Sequence, residues 1–164
     1  MSDSDQIYQP PKLIATSFMP EEIFDFLNGN DLDRKLSEAV RISTVSEDGW
    51  PHAAMLSVGE MLALDASEIA MLLYDGSNTS RNLARDGRLT LTLPLDHGLC
   101  EMRLRATAKK REGRHRCFTA LVEDVRQHRS HYADVVSGVT FRLHDRTAVL
   151  ARWSRQIVML RGLE

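Results

Sequence analysis

Apolar and polar positions change period several times along the chain, and each change predicts an element. Pro20 to Leu27 opens like a helix: proline sits in the first turn, acids follow it, and Asn28-Gly29 ends the run. Residues 31–39 read as a second short helix with Leu32 and Leu36 on one face. The period then shortens. Val40 to Val45 is a β-branched strand, Ser46-Glu47-Asp48-Gly49 a hairpin turn, and Pro51 to Val58 a strand with proline at its tolerated first position. Residues 61–64 and 68–74 are further strands, residues 77–84 a short helix, and Asp86-Gly87 a turn. Leu89, Leu91 and Leu93 alternate with Thr90 and Thr92, and Met102, Leu104 and Ala106 alternate with Arg103, Arg105 and Thr107. Residues 114–129 set Phe118, Leu121, Val122 and Val125 at helical spacing, and residues 138–143 read as a strand. Asp145 is placed as an N-cap before Val149, Trp153, Ile157 and Leu160 at helical spacing, with Gly162 past the end.

The class is therefore α+β: about six strands in one antiparallel sheet or barrel, helices at both ends and an insertion between the last strands. Residues 1–19 are expected as an arm and residues 20–164 as one domain. The period-2 positions predict a core of Ile42, Val45, Met55, Leu62, Ile69, Met71, Leu73, Leu89, Leu91, Leu93, Met102, Leu104 and Phe141.

Charge divides the chain unevenly. The first hundred residues carry a net −9 and the remainder +7, for −2 in all, which argues against a nucleic-acid binder acting through the whole surface. The densest basic stretch, residues 103–116, reads as a solvated strand edge and turn, with a small phosphorylated ligand left open. No apolar run approaches membrane-spanning length, and residues 1–15 have no apolar signal-peptide core, so the expected setting is cytoplasmic. Cys100 and Cys117 make neither a disulfide framework nor a zinc site and read as small buried hydrophobes. No metal is expected, since no acidic or cysteine partner is evident for His128 and His131.

The common nucleotide, zinc-protease and hydrolase motifs are absent. One segment carries chemistry: Tyr74-Asp75-Gly76-Ser77-Asn78-Thr79-Ser80-Arg81-Asn82-Leu83. A strand ends in a glycine turn, and hydroxyl and amide side chains then open a helix with an arginine in its first turns. Such a helix start offers unpaired N–H groups and a positive dipole end to a phosphate. The same residues equally suit ordinary helix capping.

The residues from Arg41 to His52 resemble the opening hairpin of the FMN-binding split-barrel proteins, the relatives of pyridoxamine 5′-phosphate oxidase. Ser77 to Leu83, Asp86-Gly87-Arg88 and Leu89-Thr90-Leu91-Thr92-Leu93 resemble the run that follows, in order and spacing, so the resemblance covers about residues 20–110. It implies a six-stranded antiparallel split β-barrel with flanking helices and a C-terminal helix. It also implies a homodimer that holds FMN in a cleft between subunits. The phosphate is implied at the helix start with Ser77, Asn78, Thr79, Arg81 and Asn82. The ring is implied along the strands carrying His52 to Ser57 and ending in Leu73 and Tyr74, with Arg103 beside the site. The oxidases have an arginine three residues after the hairpin proline and a lysine eight after it; here stand Ala54 and Gly59, and Ser77-Asn78-Thr79 replaces their Ser-Arg-Lys. The implied function is an FMN-binding oxidoreductase acting on a small-molecule substrate not readable from the chain, and not a true pyridoxamine phosphate oxidase. The alternative is a binding or regulatory module that holds flavin weakly or not at all. Arg142-Leu143-His144-Asp145-Arg146 reproduces a string near the oxidase C-terminus, but here Asp145 starts a helical pattern.

Overall fold

A computed structural model describes residues 8–163. Nine strands form one antiparallel sheet: β1 (Lys12–Thr16), β2 (Glu38–Val45), β3 (Pro51–Ser57), β4 (Met61–Ala63), β5 (Glu68–Tyr74), β6 (Arg88–Leu95), β7 (Gly98–Glu112), β8 (His115–His128) and β9 (Val139–Thr140). The helices are α1 (Glu21–Leu27), α2 (Asn78–Asp86) and α3 (Arg146–Arg161). The strand order is β3-β2-β6-β7-β8-β5-β4, with β1 added to β8 and β9 to β2. The sheet curls into an α+β split barrel. The expected count of about six rises to nine, and the two strands that the sequence pattern does not predict are β1 and β8. Part of the expected arm, residues 1–7, lies outside the described residues; within its remainder Lys12–Thr16 pairs with β8.

The barrel fills with one face of each strand. Ile42, Leu91, Met102 and Val125 stand in register across four strands, and all four are fully buried. The outward row beside them, Ser43, Thr90, Arg103 and Asp124, is polar. A second apolar layer lies on the far side of β4, β5 and β8, where Leu62, Ala70, Leu72 and Cys117 meet Ile157 and Leu160 of α3. Trp153 of α3 lies on Gly59: a Cβ there would stand 2.0 Å from the indole Cγ.

Residues 114–129 are a strand, not a helix. β8 carries an irregularity where Arg103 pairs with Asp124 but Leu104 pairs with Val122, leaving Glu123 bulged. The extra residue shifts the inward phase from Phe118, Ala120 and Val122 to Val125, and the shift mimics helical spacing. Leu121 points outward and is 55% exposed. The expected helix at 31–39 reduces to a 3₁₀ turn at Leu32–Arg34, because Glu38 and Ala39 already pair with β9 and β3. The strand expected over 138–143 is only Val139–Thr140. Of the expected core, Val45 and Phe141 are half-buried and Met55 is exposed, since it lies on the outer face of edge strand β3.

Candidate functional site

Helix α2 closes one end of the barrel, and its start is built by local chemistry. Ser77 is the N-cap: its Oγ accepts the Ser80 N–H at 3.1 Å. Gly87, at φ +78°, ends the helix in the left-handed conformation that glycine adopts without strain. The backbone N–H groups of Asn78 and Thr79 have no acceptor among the described hydrogen bonds. The Ser80 hydroxyl is buried and also lacks a partner.

Arg81 folds back over this start. Its Nη1 donates to the Gly76 carbonyl at 2.8 Å, and its Nη2 donates to Asn78 Oδ1. One turn later Arg85 donates to the Val45 carbonyl and, at 3.3 Å, to Asn82 Oδ1. Asn82 is buried and donates to Thr44 Oγ1 of β2 at 3.0 Å. Thr44 stands opposite His52 of β3, so the half-buried imidazole shares the side of the sheet that faces α2. Asn78, Arg81, Asn82 and Arg85, with Ser46 to Asp48 of the β2–β3 turn, line a groove of about 530 Å³. A second groove of about 370 Å³ over β2, β6 and β7 begins at Thr44 and includes Ser43, Thr90 and Arg103.

The groove at α2 is mixed in charge, with Arg81 and Arg85 on the helix and Glu47 and Asp48 on the β2–β3 turn. The first turn contains no acidic residue, and Arg81 adds a cation at the positive end of the dipole. Among the described residues Arg81 and Arg85 have no ion-pair partner, a state they share with several other surface arginines such as Arg41 and Arg152. Helix N–H groups without an acceptor beside two guanidiniums that hold only neutral partners are donors that suit a phosphate monoester. A cavity of about 320 Å³ between α1 and the β6–β7 turn has the opposite character, with Glu22, Glu38 and Asp96 in its walls.

Ser77, Asn78, Thr79, Arg81 and Asn82 follow one another at the start of α2, and His52 stands one strand away, opposite the Thr44 that Asn82 contacts. The side chains of other expected residues point elsewhere, although the Tyr74 carbonyl accepts the Ser77 N–H at 3.0 Å. Ser57 is at the far end of β3, where its Oγ donates to Glu60 Oε2 at 2.9 Å. Leu73 is buried in the barrel core. Tyr74 is 63% exposed and stacks on His115. Arg103 lies on the outward row, where its Nε donates to Glu101 at 3.1 Å. Sequence reading missed Thr44 and Arg85. A signal for Arg85 was available, since positions 78, 81, 82 and 85 form one polar helical stripe. Thr44 becomes polar chemistry only through its contact with Asn82. Gly59, the position of the oxidase lysine, is held as glycine by the indole of Trp153. Neither cysteine is a nucleophile here. Burial pushes the Cys100 thiol up to about 12 and raises that of Cys117 as well.

The chain belongs to the pyridoxamine 5′-phosphate oxidase family, whose model matches residues 19–151. It is 34% identical over 149 residues to YclD of Bacillus subtilis (strain 168), an uncharacterised protein, covering 88% of this chain and 97% of that one. The structure of a candidate pyridoxamine 5′-phosphate oxidase from Lactobacillus delbrueckii is similar with a TM-score of 0.53 and 20% identity, over 70% of this chain and 98% of that chain. HupZ of Group A Streptococcus is similar with a TM-score of 0.52 and 13% identity, over 71% and 99% of the two chains. At these identities the structural likeness is one of fold. No helix among the described residues is long and apolar enough to cross a membrane.

Proposed function

We propose that this chain binds FMN at the start of α2 and serves as a flavin-dependent oxidoreductase, working as a homodimer on a small-molecule substrate. The observation that carries the reading is the start of α2, where the N–H groups of Asn78 and Thr79 have no acceptor and stand beside Arg81 and Arg85, two guanidiniums without an ion-pair partner, in a fold of this family. Arg81, Asn78 and the N–H groups of Asn78 and Thr79 would hold the phosphate. Arg85 and Asn82 would fix the groove wall through Val45 and Thr44. The ring would lie along β3, past His52, in a cleft completed by a second copy. Bound FMN supplies reversible electron and hydride transfer; the protein supplies position and electrostatics. The dimer reading is supported by the exposed Met55 of edge strand β3, which a second copy would cover.

The non-catalytic alternative has its own support. The Ser77 hydroxyl is engaged in capping, and Ala54 and Gly59 stand where the oxidases carry cations. The visible spectrum of freshly purified protein, followed by FMN titration, tests both. Flavin bands and saturable quenching of FMN fluorescence are the expected result. A colourless protein that binds no FMN at 100-micromolar order would leave only the module reading.

A further inference from the structure

The β2–β3 turn presents an indole that the FMN reading leaves out. Trp50 is 73% exposed, whereas Trp153 is buried against Gly59. A tryptophan side chain is a large apolar plate and is ordinarily well buried. Among the described residues no ring and no cation stacks on this one.

Register sets where the indole stands. The Ser46 N–H donates to the Trp50 carbonyl at 2.8 Å, and the Gly49 N–H donates to the Ser46 carbonyl at 2.9 Å. Trp50 therefore lies across from Ser46, next to the pairs Val45–Pro51 and Thr44–His52. Side chains alternate between faces along an extended chain, so Trp50 and His52 share one side, and Pro51, Ala53 and Met55 share the other. The first side is the one that α2 covers: Asn82 bonds Thr44 there, and Arg85 bonds the Val45 carbonyl, next to Ser46. The indole is thus on the α2 side of the turn and not on the Met55 face assigned to the second copy.

The groove between them is graded in chemistry. Ser46, Glu47 and Asp48 form its turn end, and Arg85, Asn82, Arg81 and Asn78 follow towards the start of α2. From Arg85 back to Asn78 the helix rises about 10 Å. Asp48 accepts the Trp50 N–H at 3.2 Å, which ties the acidic end of the groove to the indole. Carboxylates repel a phosphate and accept hydrogen bonds from hydroxyl and N–H donors. The arrangement suits a ligand with its phosphate at the start of α2, hydroxyl groups along the groove and a planar ring at the turn. FMN has that constitution, and a simple phosphate does not.

We propose that Trp50 stacks on the isoalloxazine ring of the bound flavin, so that it carries the ring affinity of the site as Arg81 carries the phosphate affinity. This rests on the flavin reading above and adds the residue that recognises the ring. The test is titration of the full-length protein with FMN and with riboflavin, which lacks the phosphate. Binding is followed by calorimetry and by flavin emission in the native chain and in Trp50→Ala, Trp50→Phe and Arg81→Ala. Removing a stacking aromatic is expected to weaken a planar ligand about ten- to a hundredfold. Trp50→Ala should weaken FMN and riboflavin by the same factor, while Arg81→Ala weakens FMN alone. An indole in contact quenches an excited flavin by donating an electron that returns on relaxation, and a phenyl ring does not. Trp50→Phe should therefore keep most of the affinity and lose the quenching. Unchanged affinity for both flavins in Trp50→Ala overturns the stack and leaves the FMN reading standing. So does a loss confined to FMN, or dissociation of a dimer with both affinities kept. If neither flavin binds the native chain, both readings fall together. Because Trp50 is exposed, its variants should keep the native melting temperature. If Trp50→Ala unfolds, Trp50→Phe still decides, since a bound flavin as dark as in the native chain overturns the stack.

Discussion

Helices α2 and α3 start in the same way and end up with opposite tasks. Each has a side-chain cap: Ser77 Oγ accepts the Ser80 N–H at 3.1 Å, and Asp145 Oδ1 accepts the Ala148 N–H at 3.0 Å. Helix α3 spends its sixteen residues covering the sheet, burying Trp153, Ile157 and Leu160 with one polar residue, Gln156, among them. Helix α2 is nine residues long and buries Thr79, Ser80 and Asn82 besides Leu83. Burial of polar groups is unfavourable unless they are partnered, so a helix that hides three of them in its first turns is held there by something other than apolar contact. The Asn82–Thr44 bond supplies part of that hold, and the unpaired Arg81 and Arg85 leave room for an anion to supply more. A capped helix start is therefore not in itself a binding signal. What its first turns face decides the matter.

The contrast can be broken most severely at α3. Trp153→Ala should destabilise the fold by about 3–5 kcal/mol, the usual loss for a buried aromatic. Gly59→Ala should lose about 1–3 kcal/mol through overpacking against the same indole. In the double variant the two losses should be far from additive, because removing the indole makes room for the new methyl group. Denaturant unfolding of the three variants measures this; additive losses would mean that Gly59 and Trp153 act independently.

Arg81→Ala should show the reverse signature. Flavin affinity should fall by about 1.5–3 kcal/mol, or roughly ten- to a hundredfold, with the melting temperature nearly unchanged. A large drop in stability with unaltered affinity would turn α2 into a second structural helix.

Ser77→Ala sharpens the comparison at a finer scale. Loss of the cap should remove about 1 kcal/mol of stability. The flavin effect should be smaller than for Arg81→Ala, because the hydroxyl already serves the helix. Asp145→Ala should cost a similar amount of stability with no flavin effect, and melting curves beside titrations would separate the two caps.

The smallest effect lies at the end of α2. Hydrogen bonding from Arg88 lowers the Asp86 carboxyl to about 2. A depressed folded-state value means that the contribution is complete above about pH 4, the unfolded carboxylate range, and is lost as pH falls towards 2. Asp86→Asn should flatten the pH dependence of stability in that window. An unchanged acid limb would show that the pair is too exposed to matter, as surface ion pairs often are.

Much of the barrel was legible because its strands keep strict alternation. Leu89, Leu91 and Leu93 face inward, as do Met102 and Leu104, and the intervening Thr90, Thr92 and Arg103 face outward. The two caps were legible from residue type. β8 was not, because Glu123 adds a residue to one strand, and a bulge is specified by the partner's register rather than by local periodicity. Met55 was misplaced because β3 is an edge strand with one face open, a property of sheet order.

The sequence by itself determined the local elements of the candidate site: a strand ending at Tyr74, a turn, and a helix capped by Ser77 with arginines on one stripe. Those depend on short-range sterics and hydrogen bonds between neighbours in the chain. Tertiary structure alone decided which side chains meet. Asn82 finds Thr44 across 38 residues, and Arg111 finds Asp75 across 36. Trp153 closes on Gly59 and Tyr74 on His115. Such pairs are set by strand order and register, which arise from burying one face of every strand at once, a condition that no local window of the chain contains.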